Sequence, residues 1–301
     1  MLGQEKNTHA GCSKSLSSKA AASEEARRTL RYVEPLSDAR TTLADFFSIL
    51  LDTRTMSTFF VDPGSITPST IRITGDLLHH LRDSLRLRPG DSLVLNDGDR
   101  TRYRVEVTHV TSQTIDSRIL DQQTEPARGT SPIVLGQALI KGDKMDWVIQ
   151  KATELGVDTI VPLHSTHSVI KLNPERLEHQ RSRWERIARD AAQQSERWTL
   201  PTIADPVDLA EICRQYASAP VKGILAERSS GSSVANMPLT QDRQHPIVLL
   251  VGPEGGWAAA EQRLAQEQGF LPLTLGPRIL RAETAAIAAL SILQSRLDEM
   301  G

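Results

Sequence analysis

The hydrophobic positions of this chain follow two rules, and the change between them falls near residue 130. From Ile133 onward, short apolar runs alternate with longer amphipathic stretches. Ile133–Ile140 and Ile247–Val251 are almost wholly apolar, as strands covered on both faces are. Thr159–Leu163, Gly223–Ala226 and Leu271–Leu275 are predicted as further strands. Between them, Asp143–Leu155 sets Met145, Val148, Ile149 and Ala152 on one helical face, ended by Gly156. Further helices are predicted after Pro174, over Val207–Tyr216, over Ala258–Gln268 before Gly269, and over the Ala-rich Thr284–Leu297. Such alternation implies an α/β fold built on a mostly parallel sheet with helices on both faces.

Before residue 130 the period is shorter. Ser92–Leu95 and Tyr103–Val110 alternate like half-buried strands around the turn Asn96-Asp97-Gly98-Asp99. A short helix over Asp76–Leu87 is predicted to stop at Pro89-Gly90. Together they predict a small β-barrel over Met56–Arg128, and Gln122–Ser131 reads as a linker. Residues 1–55, rich in Ser, Ala and Thr, show no period and are expected to be a disordered extension, with a short helix around Thr42–Leu51. Met56 is the expected natural start.

Composition narrows the class without naming it. The chain has 301 residues, room for two domains, and a formal net charge of −2. A nucleic-acid surface would therefore have to be local. Cys12 and Cys213 lie far apart with no CxxC, which argues for a reducing compartment and against a disulfide framework or a zinc site. No apolar run reaches the roughly 18–20 residues that span a bilayer.

Two loops carry candidate chemistry. Leu250-Val-Gly-Pro-Glu-Gly-Gly-Trp257 follows a buried strand and precedes a helix. Its glycines allow close backbone approach to a ligand, and the helix N-terminus favours an anion. On glycine content alone, a simple tight turn remains open. A second loop, Leu275-Gly-Pro-Arg-Ile-Leu-Arg-Ala-Glu-Thr284, again links a strand to a helix. Glu283 and Thr284 suit a helix start, but Arg278 and Arg281 between apolar segments are harder to explain as packing. Neither loop matches GxGxxG or a P-loop.

GPEGGW (252–257) and LGPRILRAET (275–284) resemble the two S-adenosylmethionine (SAM) signatures of the SPOUT, or trefoil-knotted, methyltransferases. More narrowly, they resemble the ribosomal RNA small subunit methyltransferase E family, 16S rRNA uridine-N3 methyltransferases. Lys141-Gly-Asp-Lys-Met145, Gln150-Lys-Ala-Thr-Glu-Leu-Gly156, Ser168-Val-Ile-Lys171 and Ala192–Pro201 are similar to motifs of the same family. The resemblance runs from about Met56 to the C-terminus. It implies a PUA-like RNA-binding β-barrel over 56–128 and a SPOUT methyltransferase domain over 129–301. It also implies SAM as cofactor, 16S rRNA or the small ribosomal subunit as partner, and a cytoplasmic homodimer. Neither a metal nor a membrane is expected. The sequence departs from the family's usual pattern at Thr58, at Ser84 and in Gln193-Gln194-Ser195-Glu196-Arg197, which touches RNA contact rather than the SAM site.

Carried onto this sequence, the resemblance places the cofactor at Leu225, Glu227, Gly252, Pro253, Glu254, Gly255, Gly256, Leu275, Gly276, Ile279, Leu280, Arg281, Glu283 and Thr284. For RNA, Arg82 and Arg86 share a predicted helix face and Arg102 lies on a strand face with Arg100 and Arg104. Lys141, Lys144, Lys171 and Arg197 fall within the shared motifs. Methylation at N3 needs a deprotonated ring nitrogen, so a cation to stabilise the uridinate is expected at Arg281, with Arg278 as the alternative. Glu254 is the expected proton acceptor, with Glu283 as the alternative. His164 and His167, lacking a third ligand, are expected to be loop or surface residues. Two rival readings are a methyltransferase acting on another RNA and a non-catalytic RNA-binding assembly factor.

Overall fold

The structure is a computed structural model that describes residues 58–126, 129–168, 174–226, 231–240 and 244–300. The expectations for residues 1–55 and for Met56 lie outside the described residues.

The N-terminal part is a five-stranded sheet in the order β1-β3-β4-β5-β2. Its strands are β1 (Thr58–Phe60), β2 (Thr70–Ile73), β3 (Ser92–Asn96), β4 (Thr101–Val110) and β5 (Ile115–Thr124). Alternation decides which side of each strand is covered: Ile71, Ile73, Leu93, Leu95, Val105, Val107 and Ile115 point into one core. The predicted helix is shorter than expected. Helix α1 (Gly75–His79) passes into a π-helical turn over His80–Ser84, which brings Leu78 and Leu81 into the same core. Arg86, in the left-handed region at φ 57°, prevents its continuation to Leu87. The expected linker also begins later. β5 runs to Thr124, pairing Gln122 with Tyr103 and Thr124 with Thr101. Backbone pairing with the long β4 holds this polar segment as a strand, and its exposed face tolerates the glutamines.

Beyond Ile133 the strands are β6 (Ile133–Ala138), β7 (Thr159–His164), β8 (Thr202–Ile203), β9 (Val207–Asp208), β10 (Val221–Leu225), β11 (Ser232–Ser233), β12 (Ile247–Val251) and β13 (Leu271–Thr274). They form an eight-stranded parallel sheet in the order β11-β13-β10-β12-β6-β7-β8, with β9 also paired to β7. The helices are α2 (Lys144–Glu154), α3 (Pro174–Gln194), α4 (Leu209–Gln215), α5 (Ala259–Glu267) and α6 (Ala282–Arg296). Successive residues of each apolar strand go to opposite faces. Ile133, Leu135, Ile247, Leu249 and Val251 pack with Met145, Val148, Trp184, Ala289 and Leu293 of α2, α3 and α6. Val134, Val248 and Leu250 pack with Leu209, Ile212 and Ala265 of α4 and α5. This explains the unbroken apolar runs: every position of β12 is buried, each side chain contributing about 1.5–3 kcal/mol.

Residues 196–200 join the two sheets. The Asn96 side chain donates to the Arg197 carbonyl at 3.0 Å, and Thr199 bridges to Asp99. Arg197, 9% exposed, sends its Nη1 into the turn after α2, donating to Thr153 O at 2.9 Å and Val157 O at 2.8 Å. Arg102 lies 3.9 Å over the Trp198 ring and donates to Glu196 O. Arg197 and Arg102, both expected to meet RNA, are thus engaged by contacts within the fold.

Candidate cofactor and RNA site

Sheet order builds the site. β10 lies between β13 and β12, so the carboxyl ends of all three strands meet although the first strand ends at Leu225 and the last at Thr274. Ligands of open α/β sheets bind at such ends. Here a cavity of about 770 Å³ opens, within the range of cofactor pockets. Leu225, Gly252 to Gly256, Leu275, Gly276, Ile279, Leu280 and Arg281, all expected, line it together. Trp257, Thr274 and Arg278 line it too. Glu283 and Thr284 begin α6 and are not on the wall. Glu227 and Lys171 lie outside the described residues.

The loop backbone is shaped to admit a ligand. Gly256 and Gly276 have φ of 68° and 103°, conformations that other residues adopt only with strain, and open space lies where their side chains would be. The Trp257 indole N–H donates to Leu225 O at 3.1 Å, fastening the GPEGGW loop to the end of β10. Glu261 accepts from Ala258 N at 2.8 Å and from Thr166 N at 2.9 Å, tying the start of α5 to the loop after β7.

His167, an exposed loop residue as expected, is also part of this scaffold. Its Nδ1–H donates to the carbonyls of Gly255 at 3.2 Å and Gly256 at 3.0 Å. A Cβ on Gly255 would stand 3.0 Å from the His167 Cβ, a tight approach that glycine avoids. No motif signals a contact between segments 88 residues apart.

Charge divides the wall. Arg278 and Arg281 are exposed at the cavity and form no ion pair with a described residue. Glu254 is engaged: Lys144 Nζ lies 3.2 Å from its Oε1. Burial alone would raise the Glu254 carboxyl, but hydrogen bonds from its own backbone N–H, from Lys144 and from the Lys141 N–H hold it below its ordinary value. Lys144 is also 3.7 Å from Glu283 Oε1, so its charge is shared by two carboxylates. Lys141 is exposed beside it. On the N-terminal sheet, Arg82 is paired with Asp83 and donates to Ser112 O at 2.8 Å, whereas Arg86 is exposed. Among the described residues no helix is long and apolar enough to cross a membrane.

A cofactor cavity between two glycine loops of a parallel sheet, attached to a small β unit, defines an α/β RNA methyltransferase once the comparisons are added. A model described as RNA methyltransferase domain matches residues 128–294, and one described as RNA methyltransferase PUA domain matches residues 73–120. Ribosomal RNA small subunit methyltransferase E from Bacillus subtilis is 30% identical over 233 residues, 76% of this chain and 91% of the relative. The Synechocystis protein of that name is 34% identical over 239 residues, 79% of this chain and 77% of the relative. The crystal structure of the Neisseria gonorrhoeae protein of that name, bound to S-adenosyl methionine, is 30% identical with a TM-score of 0.71, covering 80% of this chain and 98% of that one. The chain belongs to the ribosomal RNA small subunit methyltransferase E family. Membership carries the α/β RNA methyltransferase domain and the PUA unit expected from the motifs.

Proposed function

We propose that this protein methylates N3 of a uridine in 16S rRNA, using S-adenosylmethionine and releasing 3-methyluridine and S-adenosylhomocysteine. The observation that carries the reading is the cavity shared by the two glycine loops, with the guanidinium of Arg281 at its wall and in no ion pair among the described residues. Leu225, Ile279 and Leu280 supply an apolar surface suited to the adenine ring, and the exposed backbone of residues 252–256 and 275–276 supplies polar groups for the rest of the cofactor. When bound, SAM supplies a methyl group made electrophilic by its sulfonium.

The side chains have two tasks. Arg281 stabilises the uridinate as the N3 proton leaves, and Arg278 stands beside it in the same wall. Glu254 accepts that proton, directly or through water. Its lowered pKa makes it a weak acceptor, so the arginine charge must bring the N3 proton within reach. Holding N3 in line with the methyl group contributes the rest. Exposed Lys141 and Arg86 are the proposed phosphate contacts, on the catalytic sheet's loop and on the PUA unit. The 55-residue extension stands outside this activity, and the protein acts as a cytoplasmic homodimer on the small ribosomal subunit.

Two measurements test the reading. Isothermal titration of the purified protein with SAM is expected to show binding. Mass spectrometry of 16S rRNA nucleosides from a deletion strain is expected to lose 3-methyluridine, regained on treating that RNA with protein and SAM. Methylated RNA in the deletion strain, or a methyl group found on another base, would exclude the proposed reaction.

A further inference from the structure

Three segments distant in sequence meet at one ammonium group. Lys144 opens α2, Glu254 lies in the loop after β12, and Glu283 begins α6. Lys144 Nζ is 3.2 Å from Glu254 and 3.7 Å from Glu283. Glu283 is the more demanding partner. Its side chain is only 14% exposed, and its Oε2 is buried with no hydrogen-bond partner. A carboxylate withdrawn from water in this way needs a nearby cation, because burial penalises an unpaired charge heavily. Among the described residues, Lys144 is the cation within 4 Å. Lys144 Nζ donates to Glu254 Oε1, so the start of α2 is docked onto the cofactor loop by this side chain.

We propose that Lys144 is a positioning residue: its ammonium neutralises Glu254 and Glu283 together and thereby holds the loop after β12 and the start of α6 in the spacing that forms the cofactor cavity. The inference rests on the assignment of that cavity to SAM. It differs from the reading of Lys144 as an RNA contact in one consequence: Lys144 acts on cofactor binding when no RNA is present. Removing the ammonium leaves the two carboxylates, one of them buried, without the counter-charge they share. The loops then separate or rearrange, and the cavity loses its shape.

The test is SAM titration of the full chain without RNA, on wild type, Lys144→Met, Lys144→Arg, Glu283→Gln and the double variant Lys144→Met with Glu283→Gln. Methionine keeps the aliphatic stem and removes the charge. Lys144→Met is expected to weaken SAM binding about tenfold, and Lys144→Arg to stay within about threefold of wild type. The double variant is expected to bind SAM better than Lys144→Met, because removing the buried carboxylate's charge relieves the uncompensated pair. In single-turnover methylation with saturating SAM, Lys144→Met should recover part of its rate, which a lost RNA contact would not allow. Unchanged SAM affinity in Lys144→Met, or additive losses in the double variant, overturns the proposal. If Lys144→Met does not fold, a folded Lys144→Arg that fails to bind SAM overturns it equally. A wild type that binds no SAM would instead overturn the cavity assignment itself.

Discussion

At the junction between the two sheets, Arg197 is 9% exposed and donates to the carbonyls of Thr153 and Val157, while Arg102 stacks over Trp198. At the cavity, Arg278 and Arg281 are exposed and pair with no described carboxylate. The sequence suggests an RNA contact for Arg197 and Arg102, and for Arg281, with Arg278 as its alternative, a cation that stabilises developing charge. The structure separates them by what their guanidinium groups touch. An arginine that fills the vacancies of a helix end is part of the architecture. One that lines a cavity without a partner is available for a charge that arrives or develops there.

Mutation can sharpen that contrast. The largest effect is expected for Arg281→Ala: turnover about a hundredfold lower, equivalent to roughly 2.7 kcal/mol of barrier, with SAM affinity and melting temperature unchanged. Loss of SAM binding in that variant would make Arg281 a cofactor contact and erase its catalytic role. Next comes Arg197→Ala, which strands two buried carbonyls and should cost about 2–3 kcal/mol of stability. Thermal denaturation would show this as a drop of roughly 5–10 °C. A melting temperature equal to wild type would mean that water replaces the guanidinium at no cost.

Arg102→Ala should cost less, about 1 kcal/mol, because it removes a stacked cation at a partly exposed junction. The comparison would break if Arg102→Ala proved worse than Arg197→Ala. The smallest effect concerns RNA. Arg86→Glu should lower the slope of log affinity against log salt by about 1, and Arg82→Glu by clearly less, since Arg82 is already paired with Asp83. Equal slopes for the two variants would show that intramolecular pairing does not decide which arginine meets phosphate.

Much of the fold was legible because its pattern is local. The i, i+3, i+4, i+7 spacing of Met145, Val148, Ile149 and Ala152 marks the buried face of α2, and the unbroken run Ile247–Val251 marks a strand with two covered faces. The errors have local causes as well. Gln122–Thr124 look like linker because their side chains are polar, yet strand pairing uses the backbone and is indifferent to them on an exposed face. The helix after Thr74 looks continuous to Leu87, but Arg86 takes a left-handed conformation that periodicity does not signal.

The site divides along the same line. Sequence alone determined the parallel α/β alternation, the two glycine loops that end strands of the sheet, and the family to which they belong. Each depends on residues within about ten positions of one another, where spacing and turn chemistry leave a visible mark. Tertiary structure alone decided that Lys144 faces Glu254, 110 residues away, that Asn96 holds Arg197, 101 residues away, and that His167 braces Gly255 and Gly256. Those pairings follow from strand order and from the helix each residue happens to begin or end. A charge or a ring nitrogen carries no record in sequence of the partner that packing will bring to it.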